Sequence, residues 1–519
     1  MSDARPVVVV GSGPAGVSVA WPLVEAGLPV LMLDAGAEAG PSRVAADRSS
    51  LASLRTDFGT GRSWRHLIGP TLSGLRNVGY ASPKLRTSAA PGFGEDYAVA
   101  LGLDASGFRA VGAFSPGGLS AVWGAVVCAF QGEELDPRID AGALDESYRR
   151  VAARIGINGS DDDPLADYLG RGLPLQPPLP VSSAAAALLA KKGPGGDGLT
   201  VGRLRTAILT RDLGDRNACD LGRACMWGCG VGAIYNSADE LPALWGRDNF
   251  TLRWRAEVVA VESDGSGPVL RLRDGEKVAA RAVILAAGVL STTRLVLAAR
   301  GGGQSVPLLN NPAVSFALLS PSRLGRPLAA VGHGAAQLGF RQIVAGKGEL
   351  FGMLYDADTM SAVDIMSHMP FSRPGAAAVA RRLLPAVMLG LGYLPGAYSR
   401  NRVTLAADGG LKIEGETSAD CAATMAAAGK ALRRSMARLG AHMLPGSFRP
   451  YPPGAEVHYA GTLARPEDST ADGAIVGLPG VVVADASVIG RLPAKTHTFT
   501  AMANADRIGR LWAARLSGV

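Results

Sequence analysis

The hexapeptide Gly11-Ser12-Gly13-Pro14-Ala15-Gly16 constrains this chain more than any other feature of its sequence. It follows four consecutive valines, Val7 to Val10, and opens a stretch from Ala15 to Ala26 with helical spacing. A second apolar run, Leu28 to Leu33, ends at Asp34, 18 residues beyond Gly16. Aliphatic runs without alternation predict strands covered on both faces, the setting of a parallel strand–helix–strand unit. In such a unit Gly11 permits the tight turn, Gly13 lets backbone approach a pyrophosphate, and Gly16 packs helix against sheet. The helix start at Pro14 and Ala15 then faces the phosphates with unpaired N–H groups. Asp34, with Ala35 beside it, is placed to accept hydrogen bonds from a ribose hydroxyl. A plain glycine turn accounts for the glycines but not for the strand, helix, second strand and terminal acid in this order, so the segment is read as a dinucleotide site.

Length and composition set the frame around that site. The 519 residues predict two to four domain-sized units, and 47% apolar with 19% charged residues excludes a mostly disordered chain. The 52 basic and 45 acidic residues leave a charge of +7. Lys and Arg are scattered, with only short pairs such as Lys191-Lys192 and Arg381-Arg382, so the balance reads as a mildly basic surface and not as a nucleic-acid stripe. A preference for an anionic substrate or partner is the alternative. Five cysteines, an odd number, argue against a secreted disulfide framework, and the first residues carry no signal-peptide pattern, so a cytoplasmic location is expected. The most apolar later stretch, Leu383 to Ala397, is shorter than the roughly 20 residues of a membrane span and contains Pro385, Pro395 and glycines; it predicts a buried helix and no span.

Along the chain, residues 40–110 are irregular, and residues 161–200 read as a surface excursion around one short Ala-rich helix at Ala184 to Ala187. Residues 251–288 are strand-rich, with turns at Asp264-Gly265 and Asp274-Gly275. Between 313 and 370, strand-like alternation at Ala313 to Leu318, Ala336 to Phe340, Phe351 to Tyr355 and Val363 to Met366 predicts a separate antiparallel sheet. Residues 421–440 predict an amphipathic helix, and the last 60 residues return to strand, loop and helix.

The glycine motif alone leaves NAD and FAD open. Three later segments favour FAD. In Pro116-Gly-Gly118-Leu-Ser120-Ala-Val122-Trp123-Gly124, small residues let backbone lie against a flat ring. In Val283-Ile-Leu-Ala-Ala287-Gly288, a buried strand ends in small residues, with Val258 on a strand before it. In Val481-Val-Val-Ala-Asp485-Ala486-Ser487, a strand-end carboxylate is placed to reach the ribityl or phosphate part of a flavin, and a helix follows from Thr498 to Leu511.

In this order the segments resemble the glucose–methanol–choline (GMC) oxidoreductase family, and the resemblance runs the length of the chain. It implies an α/β fold with a Rossmann-like FAD-binding domain built from discontinuous segments, 1–40, 105–130, 201–300 and 450–519. An α+β substrate domain with an antiparallel sheet would take 41–104, 131–200 and 301–449. The Gly118 to Trp123 loop looks nearest to the pyranose-oxidase-like branch, whose pyranose oxidases carry a flavin-linked histidine just before the tryptophan. Val122 stands there and cannot form that bond, so the expected FAD is non-covalent.

Six histidines are present: His66, His333, His368, His442, His458 and His497. His458, in Glu456-Val-His458-Tyr-Ala-Gly461-Thr462, precedes the final strand, and His497 follows it at the start of the last helix, so two loops flanking one strand end bring both imidazoles together. The family resemblance implies the same pair beside the flavin N5. Oxidising an alcohol removes a proton from oxygen and a hydride from carbon, and an imidazole with an ordinary pKa near 6.5 takes that proton at neutral pH. His458 is assigned as base and His497 as the group orienting the hydroxyl, with the reverse open because neighbouring imidazoles share their titration. The expectation is a small-molecule substrate, a sugar, polyol or hydroxylated natural product, with oxygen or a redox partner taking the electrons. A lyase using the histidines without net redox chemistry, and a non-catalytic FAD-binding subunit, are the alternatives.

Cys219, Cys225 and Cys229 fit no standard metal spacing and read as part of a glycine-rich structural loop, with a disulfide or a metal as alternatives; no metal is expected. Trp227, Tyr235 and Trp245 read as core or as channel lining.

Overall fold

The computed structural model describes residues 5–37, 84, 95–191, 198–329, 331–360, 362–367 and 369–518. His66, His368, Lys192 and nearly all of the irregular stretch before residue 95 lie outside them. Five parallel strands form the layer to which the glycine motif belongs, in the spatial order Val481–Val483, Ala282–Leu285, Val7–Val10, Val30–Leu33 and Phe250–Arg253. The central valine strand is fully buried, as its lack of alternation predicts. Val10 lies in register with both Leu285 and Leu33, so three strands end at one edge. The backbone bonds continue the alignment: Gly11 donates to Leu33, Ala286 to Val10, and Ala484 to Leu285.

The helix after the motif, Pro14–Glu25, shares one core with this sheet and with the terminal helix, Thr498–Ser517. The two helices approach closely because Gly509 has no side chain; a Cβ there would lie 2.6 Å from the Val19 carbonyl oxygen. Beside this layer, Val258–Ser263, Pro268–Leu272 and Lys277–Ala279 form an antiparallel meander. Its turns fall at Gly265 and Gly275, both with positive φ, where the sequence predicts them.

The second large sheet is antiparallel, in the order His442–Met443, Ala313–Leu319, Val387–Tyr393, Gly348–Asp356, Leu338–Val344 and Leu199–Arg203. Its register pairs Ser315 with Leu391 and Leu391 with Met353, and pairs Ala317 with Leu389 and Leu389 with Tyr355. Because successive side chains point to opposite faces, these rows share one face. The other face packs against the amphipathic helix Cys421–Arg438 through Met425, Ala428, Leu432 and Met436.

Two expectations are corrected. Leu383 to Ala397 is no helix: a 3-10 turn at Leu384–Ala386 leads into Val387–Tyr393, an interior strand of this sheet. Covered on both faces, the strand reads as a continuous apolar run, and periodicity cannot distinguish that from a buried helix. Val363 to Met366 is the reverse case, lying in the helix Ala362–Ser367. Ala362 and Met366, four residues apart, bury one side of that turn against Ala376 and Ala380. No helix among the described residues is long and apolar enough to cross a membrane.

Gly390 is required by the second sheet's inner packing, since a Cβ there would lie 2.1 Å from Phe316 Cζ. That ring is held between Phe340 and Phe448, with centroids 5.7 and 6.2 Å away. Gly390→Ala is expected to cost about 1–3 kcal/mol by overpacking, and Phe316→Leu in the same chain is expected to recover part of that loss. Denaturant midpoints of the two single variants and the double variant measure the coupling.

Candidate active site

The carboxyl edge of the parallel sheet and the Leu391 face of the antiparallel sheet enclose one cavity of about 940 Å³. Ligands of open parallel sheets bind outside the carboxyl ends of the strands, at this kind of edge. Gly11, Gly13, Pro14, Ala15, Asp34, Ala35, Gly118, Ser120, Trp123, Gly124, Val258, Ala287, Gly288, Asp485, Ala486, His458, His497 and Thr498 all line it. Gly16 does not, and its role is packing: a Cβ there would lie 1.9 Å from the Gly11 carbonyl oxygen. Gly11 has a φ of +101° and sits so close to the neighbouring strand that a Cβ would meet Ala286 O at 2.6 Å. Gly13, by contrast, has open space where a side chain would stand. The turn is therefore closed on its protein side and open on its cavity side, which fits a diphosphate laid on the helix N-terminus.

The acids at the strand ends are both buried, and burial pushes both carboxyls up. Asp34 accepts from the backbone of Ser12 at 2.8 Å and of Gly36 at 2.7 Å, so it braces the turn while lining the cavity. Asp485 caps its own 3-10 turn through Ser487 and accepts from Thr292 Oγ1 at 2.6 Å. Ser120 also has an internal role: its hydroxyl contacts Gly117 O and Asn236 Oδ1, and it accepts from Ser237 N. Trp123 is anchored by its indole N–H on Tyr235 O.

His458 and His497 meet as the order of loops and strand predicts, with ring centroids 5.4 Å apart and planes at 80°. His458 is partly open to the cavity, while His497 is buried as the N-cap residue of the terminal helix. Burial pushes the His458 pKa down to about 3, with the neighbouring His497 adding to the shift, and burial pushes His497 down to about 4. The ordinary value near 6.5 expected for the base is thus not kept, because desolvation disfavours the charged form. Each ring is neutral at pH 7, with one lone pair and one N–H.

Three residues the sequence did not single out complete this end. Tyr393 lies 4.8 Å from the His458 ring, centroid to centroid. Asn311 Oδ1 is 3.2 Å from His458 Nδ1. Glu456, two residues before His458, lines the cavity with its pKa pushed up to about 8 by burial. Asn310 donates to its Oε1 at 2.8 Å, whereas Oε2 makes no hydrogen bond among the described residues. Only Glu456 had a visible signal, as an acid beside a singled-out histidine. The three aromatic residues weighed as channel lining are not in the cavity: Trp227 and Tyr235 are core, and Trp245 is exposed. Cys219, Cys225 and Cys229 are free thiols away from it.

The fold is shared with known enzymes. It matches pyridoxine 4-oxidase from Mesorbium loti with a TM-score of 0.59 and 18% identity, over 98% of this chain and 99% of that one. It also matches a formate oxidase of Aspergillus oryzae RIB40, solved to examine the effect of a mutation on FAD modification. There the TM-score is 0.60 at 14% identity, over 99% of both chains. Both are GMC-type oxidoreductases, so the fold inferred from the motif order is the fold observed. No family model and no curated protein matches the sequence.

The histidine shifts give stability a defined pH dependence. Both folded values, about 3 and about 4, lie below the ordinary 6.5, so the unfolded chain binds the extra protons between those limits. The contribution is complete above pH 6.5 and falls as pH drops toward 3. The thermal midpoint is expected to decline over that window, and His458→Gln with His497→Asn to flatten the decline. Thermal unfolding at pH 4.5, 5.5, 6.5 and 7.5 measures it.

Proposed function

We propose that this chain is a FAD-dependent oxidoreductase that removes a hydride from an alcohol carbon, with His458 and His497 at the reacting centre. The observation that carries the reading is the placing of two neutral imidazoles, 5.4 Å apart, on the same cavity as the Gly11 turn and the three strand ends. FAD, when bound, supplies the hydride acceptor. The chain's own residues divide the remaining work. Gly11, Gly13 and the helix start hold the diphosphate, and Asp34 takes the ribose. Gly118, Trp123, Gly124, Val258, Ala287, Gly288, Ala486 and Thr498 surround the rest. Ser120 and Asp485 act mainly by shaping the wall. His458 accepts the substrate hydroxyl proton, and His497 orients the hydroxyl. The first turn of the terminal helix adds its partial positive charge at the cavity wall.

Val122 lines the cavity with a side chain that offers no atom for attachment, which supports non-covalent FAD. The same reading divides the chain into an FAD-binding domain of 1–40, 105–130, 201–300 and 450–519 and a substrate domain of the remainder, except that Leu199–Arg203, paired with Leu338–Val344, goes with the antiparallel sheet. That the two fold-sharing enzymes are oxidases supports an oxidation. Free thiols at all five cysteines support a reducing, cytoplasmic setting. Tyr393 stands beside His458, and the same cavity is lined by Met353, Tyr355, Leu389, Leu391 and Tyr451. Aromatic rings and aliphatic side chains in this number favour, among hydroxylated substrates, a flat apolar body over a polyol.

Anaerobic bleaching of the FAD by substrate tests the reaction. His458→Ala is expected to keep the bound-flavin spectrum and slow bleaching by about 10²–10⁴-fold; bleaching at the unaltered rate removes the base assignment. Across a panel with an artificial electron acceptor, kcat/KM for aromatic primary alcohols is expected to exceed that for pyranoses by about tenfold or more. Equal values would remove the substrate preference.

A further inference from the structure

Two neutral imidazoles at one centre are interchangeable unless something fixes which nitrogen of each carries the proton. The surroundings differ enough to fix both. Asn311 is fully buried, and its amide is oriented without ambiguity: Nδ2 donates to Leu394 O at 2.9 Å and to Pro493 O at 2.8 Å. Those two carbonyls accept only, so the nitrogen must face them and Oδ1 must face His458. An amide oxygen also accepts only. The 3.2 Å contact to His458 Nδ1 therefore requires the proton on Nδ1, and Nε2 is left bare toward the cavity that the ring lines.

His497 is set the opposite way. Its Nδ1 is buried with no hydrogen-bond partner among the described residues, and the residue is the N-cap of a 20-residue helix. A proton on that nitrogen would be a buried donor without an acceptor, at the positive end of the helix. A lone pair there is equally without a partner, but the partial positive charge of the helix end favours it over an N–H. The proton belongs on Nε2, at the cavity side of the ring.

We infer that Asn311 is a positioning residue that locks His458 as the Nδ1–H tautomer, so that His458 offers the cavity a proton acceptor while His497 offers it a proton donor. The inference rests on the reading of the histidines as the reacting pair for its functional meaning, but not for its geometry. It resolves their roles without symmetry. An alcohol hydroxyl placed between the rings donates to His458 Nε2 and accepts from His497 Nε2–H. When the hydroxyl proton passes to His458, that ring becomes doubly protonated and positive, with Nδ1–H still held by Asn311. The substrate oxygen keeps the hydrogen bond from His497. No atom of either ring has to exchange its proton before the reaction begins.

Nitrogen-15 spectra of the FAD-bound protein labelled at histidine test this directly, since only six histidines contribute. His458→Gln and His497→Gln assign the two rings. The expected result at pH 7 is a protonated Nδ1 and a bare Nε2 for His458, and the reverse for His497. Finding His458 protonated at Nε2, or both rings in the same tautomer, overturns the inference. Asn311→Leu is expected to give mixed His458 tautomers and flavin reduction about 10–100-fold slower. An unchanged His458 signal in Asn311→Leu also overturns it; if that variant fails to fold, the spectrum of the unaltered protein still decides. The two readings fail separately. Full bleaching by substrate in His458→Gln would remove the base role while leaving the tautomer assignment to stand or fall on the spectra.

Discussion

The structure depends on the close approach of the Gly11 turn to the strand that ends at Ala286. Any side chain at Gly11 would run into the Ala286 carbonyl oxygen, and any at Gly16 into Gly11 itself. Two glycines thus allow the first helix to leave the sheet at once, with its N-terminus over the strand ends. Because Val10, Leu33 and Leu285 share one register, the next residues of three strands emerge at the same edge. Val483 extends the row, being paired with Leu285. Segments hundreds of residues apart in sequence are neighbours there by strand pairing, and the cavity is a consequence of that edge.

The histidine end is built under strain. Val457, between Glu456 and His458, has a φ of +65°. That is an outlying conformation for a β-branched residue, of the kind that costs about 1–3 kcal/mol. Its neighbours hold it there. Val457 N bonds to Gly454 O, and the Tyr459 hydroxyl bonds to Arg109 O and Gly454 O while accepting from Val111 N. The left-handed residue turns the chain so that Glu456 reaches Asn310 and His458 reaches Asn311. The adjacent asparagines and the strained tripeptide form one unit.

Much of this was legible in the sequence, for identifiable reasons. The glycine turn, its strands and its terminal acid are local, and the chemistry of each residue type restricts its position. The two histidines were legible because they flank one strand. Asn310 and Asn311 were not, since their partners lie about 146 and 147 residues away and no local pattern distinguishes them from a loop before Pro312. The strand Val387–Tyr393 was misread because a helix and a strand covered on both faces are equally apolar. Asp485 and Ser120 line the cavity, but the sequence could not reveal that protein groups already occupy their oxygens.

Burial explains why the asparagines are there. Taking two imidazoles and a glutamate out of water keeps all three neutral near pH 7, which leaves each ring with one lone pair and one N–H. The same burial makes every unpartnered N–H or carbonyl costly. Asn401 answers this for Asn310, donating to its Oδ1 and to Leu308 O while its own oxygen accepts from Glu416 N. Asn310 then has only its N–H groups to offer Glu456, and Asn311, held by two carbonyls, has only its oxygen to offer His458. An amide carries a donor and an acceptor but no charge, so it can dictate a neighbour's proton position without changing the net charge of the centre. A carboxylate in place of Asn311 would favour a positive His458 before any substrate arrived, and a hydrocarbon would leave the ring undirected. The amide is the side chain that satisfies both demands.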